Sequence, residues 1–231
     1  MKPSIVAIDG PAASGKSTLG HLLARRLGYL FFDTGVLYRA VSLAALEHGV
    51  SIDDDVSLTE LARRSQIDVA ESSVDDGRQY TVWLEGRDVT WELRTPAVDA
   101  IVSPVSAVPG VRRALIEQQR RIAQRGQIVM VGRDIGTVVC PDADLKLFIE
   151  ASLEVRARRR YAELVRRGEP VGYEQVLDEM RRRDERDRNK PISPLAPAPD
   201  AIILDTTALD IETVVERTEQ IIKQRNEVTA R

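Results

Sequence analysis

Apolar residues along this chain shift between continuous runs, a spacing of three to four, and a strict alternation. Residues 4–9, Ser4-Ile5-Val6-Ala7-Ile8-Asp9, form a short run rich in β-branched side chains and closed by Gly10. Such a run predicts a strand buried on both faces of a parallel sheet. From Lys16 onward Leu19, Leu22, Leu23 and Leu27 recur at helical spacing, and Gly28 supplies the stop. Residues 29–32 predict a second strand ending at Asp33, and 36–48 return to helical spacing. Strand, loop, helix, strand and helix in that order imply a doubly wound α/β sheet.

Between 67 and 89 the period becomes two. Ile67 and Val69, then Tyr80, Val82 and Leu84, alternate with polar residues around Asp75-Asp76-Gly77, and Gly86 adds a second break. This predicts a small antiparallel meander inserted into the frame. The frame resumes with a helix near 109–125 and strands at 127–131 and 145–150. Two Arg-rich helical stretches, 152–167 and 173–188, flank Gly168-Glu169-Pro170-Val171-Gly172. A proline-rich connection (Pro191, Pro194, Pro197, Pro199) leads to a last strand at 201–205, and a helix carrying Ile211, Val214, Val215, Ile221 and Ile222 on one side closes the chain. The expected organisation is a core of residues 1–64, 105–154 and 189–231, an insert at 65–104, and a helical unit at 155–188.

Composition narrows the function classes. The 231 residues are 43% hydrophobic and 30% charged, which fits one globular α/β domain with a small insert. A formal charge of -3 gives no global pull toward nucleic acid or an anionic membrane. The charge is uneven, however: residues 156–190 hold twelve Lys/Arg against eight Asp/Glu, which suits a small anionic ligand. The single cysteine, Cys140, excludes an intrachain disulfide, and His21 and His48 lack metal-ligand spacing. No apolar run approaches the roughly 20 residues of a membrane span. The N-terminal run reads as a strand and not as a signal peptide, so a cytoplasmic location is expected.

Chemistry enters with Gly10-Pro11-Ala12-Ala13-Ser14-Gly15-Lys16-Ser17, which matches G-x-x-x-x-G-K-[ST] between a predicted strand and a predicted helix. Glycines let the backbone curl so that successive N–H groups face phosphate oxygens, and the helix N-terminus adds partial positive charge. Lys16 brings a cation to the outer phosphates, and the Ser17 hydroxyl can ligate Mg²⁺, which prefers oxygen. This loop alone means a nucleoside triphosphate site, common to GTPases, ATPases and kinases. A guanine-reading N-K-x-D is missing: the nearest match is Asn189-Lys190-Pro191-Ile192. The apolar run Ile128-Val129-Met130-Val131 leads into Gly132-Arg133-Asp134, where the arginine suits a phosphate contact. Phe32-Asp33-Thr34-Gly35 resembles the triplet of aspartic proteases, but those are all-β. At the carboxyl end of a strand in an open α/β sheet, where ligands bind, the Thr34 hydroxyl and the Arg39 guanidinium suit a second, phosphate-bearing substrate.

These segments, with Gly132-Arg133-Asp134-Ile135-Gly136-Thr137-Val138-Val139, Arg183-Asp184-Glu185-Arg186-Asp187-Arg188-Asn189, Pro194-Leu195 and Leu204-Asp205-Thr206-Thr207, closely resemble bacterial cytidylate kinase over nearly the whole chain. The resemblance implies a P-loop nucleoside-monophosphate kinase fold, with 65–104 extending the monophosphate-binding region and an Arg-rich helical lid within 155–188. It implies transfer of the ATP γ-phosphoryl group to CMP or dCMP, with Mg²⁺ and small-molecule partners only, in a monomer. By similarity Arg39, Arg133 and Arg183 grip the CMP phosphate, with Thr34 beside them. Arg156, Arg159 and Arg160 share one helix face at i, i+3 and i+4; Arg156 and Arg160 are expected to act catalytically with Lys16 and Arg133, and Arg159 to join residues 10–17 and Thr18 around ATP. Asp134 and Arg112, with Ser103 near them, are expected to read cytosine, Asp134 accepting from N4. Asp187 resembles the ribose-hydroxyl acceptor. Thr34 stands where the family often has serine, which preserves the hydroxyl. Lys190 stands where an arginine can occur near the sugar. A UMP/CMP dual-specificity kinase and a P-loop nucleotide-binding switch module are the alternatives.

Overall fold

A computed structural model describes residues 2–189 and 194–229. The first strand, β1 (Ile5–Asp9), leads through the glycine-rich loop into α1 (Lys16–Leu27), then β2 (Leu30–Asp33) and α2 (Gly35–Glu47). Next come α3 (Asp55–Arg64), the short strands β3 (Ile67–Ala70), β4 (Thr81–Leu84) and β5 (Arg87–Asp88), and helices α4 (Pro96–Ala107) and α5 (Pro109–Ala123). Strand β6 (Ile128–Gly132), a π-type turn (Ile135–Val139), β7 (Leu145–Glu150), α6 (Leu153–Arg166), α7 (Tyr173–Arg188), β8 (Ile202–Asp205) and α8 (Ile211–Thr229) complete the chain.

The large sheet is parallel throughout, in the order β2-β6-β1-β7-β8. Its central strands are apolar because helices cover both faces: Val6, Ile8, Val129 and Val131 are fully buried. Every strand therefore ends on the same edge, where Asp33, Gly132 and Asp9 close three neighbouring strands. Helix α1 lies close on that sheet because Gly20 has no side chain. A Cβ there would meet Val131 Cγ2 at 2.5 Å. Gly28 stops α1 in the left-handed region at φ 72°, its N–H returning to Ala24 O.

The alternation at 67–89 folds as expected into an antiparallel sheet in the order β3-β4-β5. Leu84 pairs with Arg87 across the two residues Glu85 and Gly86, both at positive φ, the backbone of a tight hairpin. Arg121 of α5 and Arg125, just beyond that helix, donate to Ile67 O and Val69 O along β3, occupying carbonyls that an exposed edge would present. Two helices lie outside the sequence expectations. Helix α3 starts at Asp54, whose carboxylate accepts from Ser57 N, and buries Leu58, Leu61 and Ala62. Helix α4 starts with Pro96 and contains Pro104, so its composition reads as loop although it packs on α2. It also runs across residue 104, where the insert was expected to end. The α6–α7 hairpin has a small core of its own, Ala157, Leu164, Val176 and Met180, flanked by the edge-on ring pair Tyr161–Tyr173.

Candidate active site

The glycine-rich loop wraps the sheet edge between β1 and α1. At Gly10 a Cβ would lie 2.1 Å from Ile149 O, so the strand β7 backbone permits no side chain there. Ala13 and Gly15 take positive φ, 58° and 95°, which turns the loop inward before α1. Lys16 is half-buried and its ammonium donates to Pro11 O at 3.0 Å. Burial, then Arg133 and Arg183, lowers its pKa to about 8 against the pull of Asp33. The Ser17 hydroxyl donates to Asp33 Oδ2 at 3.1 Å. That puts two oxygen donors beside Lys16, a donor set that fits Mg²⁺ held mainly by phosphate and water. No cluster of three or more His, Cys, Asp or Glu suited to a metal occurs among the described residues.

Beside the loop lies a cavity of about 280 Å³ lined by Gly15, Thr18, Ile149, Arg159, Thr206 and Val214, among others. Arg159 is laid along its wall: Nη1 donates to Ser14 O and Thr206 Oγ1, Nη2 to Thr206 O at 2.8 Å. Arg156 and Arg159 thus share the α6 face expected of them and both reach the loop. Arg156 is buried and committed: its guanidinium holds Asp184 of α7 at 2.6 and 3.2 Å, and donates to Ala151 O and, at 3.4 Å, to Ala12 O. It ties the hairpin to the phosphate loop. Arg160 turns to Glu163 at 2.9 Å and is partly exposed.

The second half of the site follows β6. Arg133 pairs with Asp187 of α7, and Asp134 Oδ2 accepts from Arg112 Nη2 of α5 at 2.5 Å. The structure therefore joins two residues expected to read the base, 22 positions apart in the chain. Burial lowers Arg133 to about 9, with Arg183 adding to the effect and Asp184, Asp33 and Asp134 opposing it. Arg183 reaches solvent, yet the protein around it, then Arg160 and Arg186, holds its pKa below the usual range. Arg133 and Arg183 thus both act against the charge on Lys16, and Arg183 against that on Arg133, an arrangement that an anion relieves.

Thr34 and Arg39 have their polar groups engaged within the protein. Thr34 is buried and its hydroxyl donates to Val131 O at 3.0 Å. Arg39 donates to Leu93 O at 2.9 Å and to Asp99 of α4 at 2.5 Å. Ser103 is exposed on α4. Lys190 lies outside the described residues. Sequence reasoning missed Asp9, Asp33 as the partner of Ser17, Asp184, and the cavity wall from Thr206 to Val214. Asp184 and Thr206 stood inside segments already singled out, but a carboxylate that clamps an arginine has no spacing signature. Tyr38 was missed likewise; its pKa is raised by burial, and the charges of Arg112 and Asp134 both act on it.

Residues 6–224 match the family model described as Cytidylate kinase. A cytidylate kinase of Chloroflexus aggregans is 55% identical over 202 residues, covering 87% of this chain and 86% of that protein. Another, of Roseiflexus castenholzii, is 51% identical over 214 residues, covering 92% and 90%. Among solved structures, a shikimate kinase from Bacteroides thetaiotaomicron aligns with a TM-score of 0.50 at 14% identity, over 95% of this chain and 98% of that one, a likeness of fold.

Proposed function

The chain belongs to the cytidylate kinase family, and we propose that it moves the γ-phosphoryl group of ATP to CMP or dCMP through the cleft between the phosphate loop and the turn after β6. The observation that carries this reading is the gathering of positive charge around the phosphate loop, where Arg133 and Arg183 act against Lys16, and Arg183 against Arg133, a field that phosphate oxygens would relieve. The CMP phosphate is already an anion and a competent nucleophile, so no catalytic base is needed. The protein's work is to hold two polyanions in line and neutralise charge that develops on transfer.

Residues 10–17 cradle the triphosphate, with Lys16 on its outer oxygens. The apolar cavity behind Gly15 takes the adenine ring, with Arg159 flat against it and Thr18 at its mouth. Ser17, with Asp33 beside it, would hold Mg²⁺, which would offset phosphate charge. Arg39, Arg133 and Arg183 take the CMP phosphate, with Thr34 behind them. Arg112 and Asp134 read cytosine, with Ser103 reaching in from α4, and Asp187 accepts from the sugar. Arg39 leaves Asp99 for the phosphate, and Arg160 leaves Glu163 for the triphosphate, when the hairpin at 155–188 and the insert at 65–104 close. Closure excludes water, which would otherwise hydrolyse ATP. Arg156 contributes by holding Asp184 and the loop together. The enzyme works as a monomer in the cytoplasm.

A coupled ADP-release assay with CMP, dCMP, UMP, AMP and GMP tests the assignment. CMP and dCMP should lead. AMP or GMP outpacing CMP would overturn it, and equal rates with UMP would make it a dual-specificity enzyme.

A further inference from the structure

We propose that Asp9 is a positioning residue that sets the cytosine-reading turn from the strand that launches the phosphate loop. Asp9 is 4% exposed, and both its carboxylate oxygens are used: Oδ1 accepts from Ile135 N and Oδ2 from Gly136 N, each at 2.8 Å. These are the two amides immediately after Asp134, at the start of a helical turn, where N–H groups have no partner within the turn. The β1–β6 register brings the donor and acceptor together, since Asp9 lies opposite Gly132. The other end of the turn is closed by Val138 N and Val139 N on Asp134 O. The backbone around Asp134 is thus held from both sides, and one of those sides is the residue preceding Gly10.

The geometry requires an acceptor-only group. Two N–H groups face two oxygens; asparagine of the same shape would present one acceptor and one donor. There is little slack, because a Cβ on Gly136 would sit 3.2 Å from the Lys146 side chain and 3.4 Å from Asp9 Oδ2. The charged groups bearing on Asp9 are Asp134 from the turn and Lys16 from α1, with Lys146 of β7 alongside Gly136. Burial raises the carboxyl to about 6, against the two amide bonds and Lys16. A proton on Asp9 would turn one of its acceptors into a donor and loosen the turn that aims Asp134.

The inference rests on Asp134 reading the base, so the experiment separates the two. In the full-length enzyme, Asp9→Asn should lower the CMP:UMP ratio of kcat/KM about fivefold or more and raise KM for CMP about tenfold, leaving KM for ATP within about twofold. A folded variant with wild-type ratio and KM overturns the positioning role. Wild-type enzyme that fails to prefer CMP removes the base reading instead, and this inference with it. Should the variant not fold, wild-type protein still decides. The Ile135 and Gly136 amide resonances and the CMP:UMP ratio should titrate with one midpoint near 6; the ratio cancels the substrates' own phosphate titration. Amides that do not move, or a flat ratio, overturn the proposal.

Discussion

Removing the Asp134 carboxylate tests the base-reading pair directly. Its Oδ2 lies 2.5 Å from Arg112 Nη2, with side chains 11% and 13% exposed, and Arg112 Nε has no partner of its own among the described residues. Asp134→Ala strands a guanidinium that is mostly shielded from water. Breaking a fully buried pair costs about 3–5 kcal/mol, and the residual solvent access at this site reduces that to about 2–3. That loss acts on the free enzyme and cancels when two substrates are compared. The discriminating part is the hydrogen bond from cytosine N4, against a carbonyl oxygen in uracil facing the same carboxylate. Such a mismatch is worth about 1–3 kcal/mol, or about five- to 150-fold in the CMP:UMP ratio of kcat/KM. The assay is coupled ADP release under matched ATP, with a thermal melt to confirm folding. Most of the CMP preference should vanish. A folded Asp134→Ala enzyme that keeps the wild-type ratio would refute the reasoning, because no other carboxylate has been placed against the base.

The other expectations follow from the loop and the hairpin. Lys16→Ala should lower kcat about 100-fold or more with a smaller effect on KM for ATP, measured in the same assay. Since the Lys16 pKa is lowered from 10.5 to about 8, the free enzyme loses this cation as pH rises through 8. The kcat/KM for ATP should therefore fall above pH 8. Stability moves the other way: between 8 and 10.5 the unfolded chain binds more protons at this lysine, so its contribution to folding becomes more favourable as pH rises, a trend that Lys16→Met should remove from denaturant melts. Arg156→Met leaves Asp184 buried and unpaired and should cost about 3–5 kcal/mol in denaturant unfolding, whereas Arg156→Met with Asp184→Leu should recover most of it. Gly10→Ala should cost about 3 kcal/mol or more, because the added Cβ meets backbone at Ile149 that cannot rotate away.

Much of the fold was legible because its signals are local. The stop at Gly28, the parallel-strand runs and the alternation at 67–89 each depend on a few neighbouring residues. Helix α3 carries a local signal as well, the Asp54 carboxylate accepting from Ser57 N with Leu58, Leu61 and Ala62 inward. Helix α4 had no reliable one, since Pro104 lies within it and its place is decided by packing on α2.

The sequence by itself determined the phosphate loop, the order of the elements and, through motif resemblance, the kind of second substrate. Backbone N–H groups, glycines and a lysine at fixed spacing are bound to their neighbours in the chain, so their chemistry can be read there. Tertiary structure alone decided the pairings: Arg112 with Asp134, Arg133 with Asp187, Arg156 with Asp184, and Asp9 with the amides of Ile135 and Gly136. Each joins residues far apart in the chain, through strand order and helix docking. A buried charge must find its partner in space, and a linear pattern does not record where that partner will be.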